Sequence, residues 1–145
     1  MRDTTDQSKF LKAIKKCLSD AHGFFQDAMD ALDEIGQASP RTGMTGIFGG
    51  IALKNSESNY RDAIIKLDAA EKSLEPLAKR IRDGRVNESH FKDPKALVLL
   101  KDVLDFDYQI LMNLLLERRG RESVWFRLRE LSQKTEESFG LVVDA

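Results

Sequence analysis

The apolar positions near the start of the chain fall into three rows that repeat every seven residues. They are Leu11, Leu18, Phe25, Leu32; Ile14, Ala21, Ala28, Ile35; and Phe10, Cys17, Phe24, Ala31. Residues three, four and seven apart share a helix face, so the rows merge into one broad stripe that is hidden from water only against other helices. A hydroxyl at Thr4 or Thr5 can cap the start of this helix, and Gly36 offers its stop. The next row, Leu53, Tyr60, Leu67, Leu74, Ile81, keeps the heptad as far as Arg82, with Gly84 as the terminator. Pro76 interrupts it, and a proline there removes one backbone donor and collides with the preceding turn, which predicts a kink or a broken turn.

Asp93-Pro94 marks a third helix start, an acidic cap followed by proline at the first helical position. Its apolar rows are Leu97, Leu104, Leu111 and Leu100, Val103, Ile110, Leu114, which predict one continuous helix. Gly120 among Arg118, Arg119 and Arg121 reads as a tight turn. A fourth helix follows through Val124, Leu128, Leu131, Thr135 and Val142, with Trp125, Phe126 and Phe139 enlarging its apolar side. Strand-like alternation is missing, so the expected fold is all-α: an antiparallel up-down four-helix bundle, one domain over residues 1–145, with a Gly-rich loop from Gly36 to Gly50.

At 145 residues the chain is long enough to bury roughly 70% of its unfolded surface, so no metal or disulfide staple is required. With 23 basic against 24 acidic residues the formal charge is −1, and no global field draws nucleic acid or an anionic membrane. Cys17, the only cysteine, lies in an apolar row and reads as a core residue rather than a reactive thiol. The start of the chain lacks a signal-peptide core, and the longest apolar run, Ala96 to Leu100, is too short to span a bilayer. A cytoplasmic protein is expected. Asn87-Glu88-Ser89 is then an accidental match to a glycosylation acceptor.

Chemistry-bearing patterns are sparse. Asp107 is placed by Val103, Leu104, Ile110 and Leu111 on the buried stripe of the third helix. An acid there needs an internal donor or cation, or is held for a ligand. The Gly-rich loop has neither a Walker nor a GxGxxG pattern, so its apolar tip, Met44, Ile47 and Phe48, is expected to cap the core or to meet a partner. Glu-x-x-His pairs are absent, which argues against a di-iron bundle. The residues around His22 do not match a phosphotransfer histidine, and His90 lies in a loop. Asp27, Asp30 and Glu34 fall on the polar face of the first helix. With no nucleophile elbow, an enzyme is not expected, and no catalytic residue, cofactor or metal ligand is assigned.

Up-down topology gathers Lys9, Lys12, Lys15, Lys16, Lys79, Arg80, Arg82, Arg85, Lys92 and Lys95 at one pole, which becomes basic. At the other, Asp30, Asp33 and Glu34 are expected to face the arginines between Arg118 and Arg129. The expected function is a non-catalytic interaction module, an adaptor, chaperone-like or immunity-like bundle. It would bind another protein through Met44, Ile47 and Phe48 or through Lys12, Lys16, Arg80 and Arg82, and homodimerisation is compatible with this. Attachment to an anionic surface through the basic pole or the loop, and a small-ligand or metal site centred on Asp107, are the alternatives.

Overall fold

In the computed structural model of the chain, the backbone is described over residues 2–41 and 46–144, and the side chains over residues 6–35 and 57–144. Five helices follow one another: α1 (Arg2–Arg41), α2 (Gly46–Arg82), α3 (Lys95–Leu104), α4 (Tyr108–Leu116) and α5 (Arg121–Gly140). A short 3-10 turn, Glu88–His90, precedes α3. Among the described residues there is no strand, only an isolated antiparallel bridge between Phe91 and Val142. Among the described residues the all-helical expectation holds, but the helices number five rather than four, because the predicted third helix is two.

Two further boundaries differ from expectation. α1 runs through Gly36 to Arg41, and α2 already begins at Gly46, so the predicted loop from Gly36 to Gly50 is largely helical backbone. A glycine inside a helix costs only about 1 kcal/mol and stops the helix only where the chain turns left-handed. Met44 lies outside the described residues, as do the side chains of Ile47 and Phe48. α2 also continues past Pro76 to Arg82 without a break. Gly84 ends it as expected: its φ is +75°, and Arg85 N–H reaches back to the Arg80 carbonyl at 2.9 Å, which satisfies a carbonyl of the last turn.

In α1 the two inner rows are all buried, from Leu11 to Ile35, none more than 6% exposed. Phe10, Cys17 and Phe24 of the third row pack half-buried at its edge. Burial pushes the Cys17 thiol up in pKa, so it stays protonated and apolar. α2 buries Ala63, Leu67, Ala70, Leu74 and Leu77, again at heptad spacing. α5 buries Val124, Leu128, Leu131, Thr135 and Ser138.

Cross-helix contacts set the directions. Arg80 lies over the Phe10 ring and Lys66 over Phe24, which makes α1 and α2 antiparallel. Gln26 donates to Ser132 Oγ at 2.8 Å and Lys15 pairs with Asp144, so α5 also runs against α1. Lys134 to Asp102 and Lys95 to Glu137 set α3 against α5, and Arg118 on Glu57 with Tyr108 beside Glu71 sets α4 against α2. Lys92 N–H to the Leu141 carbonyl and Val143 N–H to the His90 carbonyl fasten the chain after α5 to the approach of α3.

Candidate functional site

The break between α3 and α4 is built from the residues that sequence reasoning placed inside one helix. After Ala96, Leu100 and Val103, an unbroken helix would carry Asp107, Ile110 and Leu114 into the core. The chain instead leaves helical geometry at Asp107 (ψ 90°), and the buried residues of α4 are Tyr108, Leu111 and Leu115, one position later. Asp107 is therefore exposed, not buried, and the predicted buried acid is corrected. Its carboxylate stays in water and accepts the Gln109 N–H at 3.1 Å, so it caps the helix that follows. Burying it unpaired would have cost several kcal/mol. Tyr108 completes the joint: its hydroxyl donates to the Val103 carbonyl at 2.7 Å, while its ring stacks on Phe25 and meets Phe106 edge-on.

The one-position shift decides what α4 shows to solvent. Tyr108–Leu116 contains no charged residue, in a chain that is 32% charged. Seated between α2 and α5, α4 buries one side and turns Gln109, Ile110, Asn113 and Leu116 outward. Ile110 and Leu116 are each 56% exposed. Ile65, Val98 and Phe126 are also exposed, but each has a charged residue three or four positions away on either side along its helix. The remaining exposed large apolar side chain among the described residues is an aromatic one, Phe139 near the end of α5. Among the described residues, only on α4 do exposed aliphatic side chains flank an uncharged centre, Asn113, whose amide oxygen accepts from Gln109 Nε2 at 2.9 Å.

Charge is segregated to the two ends of this face. At the start stand Asp105 and Asp107, both exposed, with Glu71 and Glu75 of α2 alongside and lining a small cavity of about 130 Å³ with Tyr108. Burial, and then the charges of Asp68, Glu75 and Asp107, push the Glu71 carboxyl above the usual carboxylate range. Burial, followed by Glu71, pushes the Tyr108 hydroxyl upward too. At the far end stand Arg118, Arg119 and Arg121. Arg118 takes the left-handed conformation (φ 53°) that closes α4, and its guanidinium grips Glu57 of α2. Among the described residues Arg119 pairs only with Glu117, two positions before it, at 3.2 Å. Arg121 has no ion pair among the described residues.

The basic pole does assemble, in a weaker form. Phe10 touches both Arg80 and His90, which joins the start of α1, the end of α2 and the turn before α3. Lys15 and Lys92 share Asp144, Lys16 pairs with Asp20, and Lys95 pairs with Glu137, so three of these four positive charges are offset locally. Lys12 and Arg82 remain exposed, and Arg80 is half-buried by its aromatic contact. At the opposite pole the expected pairing fails: among the described residues, Asp30, Asp33 and Glu34 take no arginine. Arg118, Arg119 and Arg127 pair with Glu57, Glu117 and Glu130 instead. Those glutamates lie on α2, on the α4 terminus and within α5, nearer to each arginine than α1 is.

His22 borders a cavity of about 220 Å³ with Leu18, Ser19, Glu136 and Phe139. Its Nε2 is buried without a hydrogen bond, 3.5 Å from a Glu136 oxygen. Among the described residues no three histidine, cysteine, aspartate or glutamate side chains converge in a way that would hold a metal ion, and no helix is long and apolar enough to cross a membrane. Sequence reasoning missed the outer face of α4. Its signal was available as an uncharged nine-residue run with Asp105 and Asp107 before it and Glu117, Arg118 and Arg119 after it. No protein-family model, curated protein or solved structure matches the chain.

Proposed function

We propose that this protein is a non-catalytic cytoplasmic interaction module, a helical bundle whose work is to hold another polypeptide. In this reading the five helices fill four positions of an up-down bundle within one domain, with α3 and α4 end to end in one of them. The observation that carries it is the outer face of α4: two aliphatic side chains, each 56% exposed, on a helix without charge. A helix that is apolar nearly all round belongs in a buried setting, and exposed apolar residues rimmed by charge mark interaction sites. A partner helix laid along Ile110 and Leu116 would remove that surface from water.

The test is a pair of charge insertions, Ile110→Lys with Leu116→Lys, against Gln133→Lys on the exposed side of α5. Both proteins should keep the wild-type circular dichroism. Proteins retained from the native cell by the wild type should still bind the Gln133 variant and be lost from the α4 variant. Equal retention by all three would remove α4 as the binding surface.

The exposed Lys12 and Arg82 at the assembled pole favour a second reading, attachment to an anionic surface. Co-sedimentation with vesicles containing phosphatidylserine, lost in Lys12→Glu with Arg82→Glu and absent with neutral vesicles, would support it. No binding to either vesicle would end it.

A further inference from the structure

We propose that the occupant of the α4 face is a second copy of this chain, docked antiparallel about a two-fold axis beside Asn113. The proposal rests on the reading of α4 as an interface, and it assigns the partner.

An isologous contact must be self-complementary: whatever one end of the strip offers, the other end must accept. α4 has that pattern. Ile110 lies three residues before Asn113 and Leu116 three residues after it, so antiparallel pairing puts Ile110 of one copy in the same layer as Leu116 of the other. Both are exposed in the single chain. Asn113 then meets its own counterpart, and an amide is both donor and acceptor. Its oxygen takes one bond from Gln109, and its NH2 remains to donate. A lone asparagine in an otherwise apolar helix contact is a known device for fixing register.

Charge makes the same choice of direction. Along the chain Asp107 and Arg119 each lie six residues from Asn113, on opposite sides, and Asp105 and Arg121 each lie eight. Antiparallel docking brings each acid of one copy to an arginine of the other, four pairs in all around the axis. Among the described residues neither acid has a cation partner, and Arg119 has only the exposed Glu117 two positions before it. Parallel docking would set acid on acid and arginine on arginine. It would also align the helix dipoles, so it is excluded on both counts. The strip from Asp105 to Arg121 is short. An interface on the order of 1,000 Å² in total lies at the low end of specific contacts, so we expect a reversible dimer with a Kd on the order of 10 µM.

Sedimentation equilibrium on the full chain, from about 1 µM to about 0.5 mM, reads this directly. Asp105→Arg and Arg121→Asp each place a favourable charge at a helix end and should leave the fold intact. Each single variant should weaken the dimer about 10-fold or more, and the double variant should recover to within about threefold of the wild type. In a Cys17→Ala background, Asn113→Cys should oxidise to a covalent dimer while Gln133→Cys does not. A wild type that stays monomeric to the highest concentration overturns the second-copy assignment. So does a dimer that ignores the charge reversals or cross-links equally through position 133. The interface reading fails separately, when the Ile110 and Leu116 lysine variants change neither self-association nor retention of any other protein.

Discussion

α1 and the α3–α4 segment carry similar apolar rows, yet one is a single helix and the other is two. In α1 eight successive heptad positions are buried without interruption. In α3–α4 the heptad holds for Ala96, Leu100 and Val103, and then the next inward position is an aspartate. A repeat states which residues want burial; one acid at an inward position can still reset the phase of everything after it. Here the reset costs a helical turn, and Tyr108 and Asp107 recover most of that loss by bonding the freed carbonyl and capping the new start.

The largest test of this contrast compares neighbours. Leu18→Ala in α1 and Leu111→Ala in α4 should each destabilise by about 2–5 kcal/mol, because both remove bulk from buried sites. Ile110→Ala, one residue away, should change stability by less than about 0.5 kcal/mol. Denaturant melts of the three variants check the phase; a large effect at Ile110 with a small one at Leu111 would restore the continuous helix.

Tyr108→Phe removes the donor to the Val103 carbonyl while keeping the ring on Phe25, and should cost about 1–3 kcal/mol. Asp107 separates a cap from a buried acid. As a cap, Asp107→Ala should cost about 0.5–2 kcal/mol and Asp107→Asn almost nothing, since asparagine caps equally well. A loss on Asp107→Asn as large as that on Asp107→Ala would contradict the capping role.

The smallest effect belongs to Glu71. Its folded pKa lies above the unfolded value, so the folded state holds the proton more tightly. Stability is fully present below the ordinary carboxylate range and falls as pH rises through the raised value. Glu71→Gln should therefore be slightly more stable than the wild type at neutral pH, by less than about 0.5 kcal/mol, and should lose that advantage in acid. Thermal melts across pH 3 to 7 measure it. An advantage that grew on acidification would mean that burial and the neighbouring acids do not raise the folded pKa of this group.

Much of the fold was legible in local chemistry. The rows of α1, the burial of Leu67 and Leu74 in α2, the Gly84 terminator and the bonding of Asp93 to the first turn of α3 all follow from side-chain periodicity and short-range hydrogen bonds. The candidate site was less legible. Asp107 looked buried because periodicity was extended across Asp105-Phe106-Asp107, although an aspartate followed by a helix-forming run is itself a start signal. The pairing of charges at the poles was misjudged for a different reason, since each arginine takes the nearest glutamate, and nearness across helices is not a property of spacing along one.

By itself the sequence determined that this chain is helical, which face of α1 turns inward, and that α4 carries no charge. Those outcomes depend on 3.6-residue periodicity and on the intrinsic preferences of each residue, both of which act within a few residues. Only the tertiary structure decided that Tyr108 rather than Asp107 enters the core, and that Ile110 and Leu116 are left facing water. That choice balances the cost of desolvating a carboxylate against the cost of opening a helix. The balance tips only because Val103 and Phe25 are in place, on two different helices, to receive the Tyr108 hydroxyl and ring.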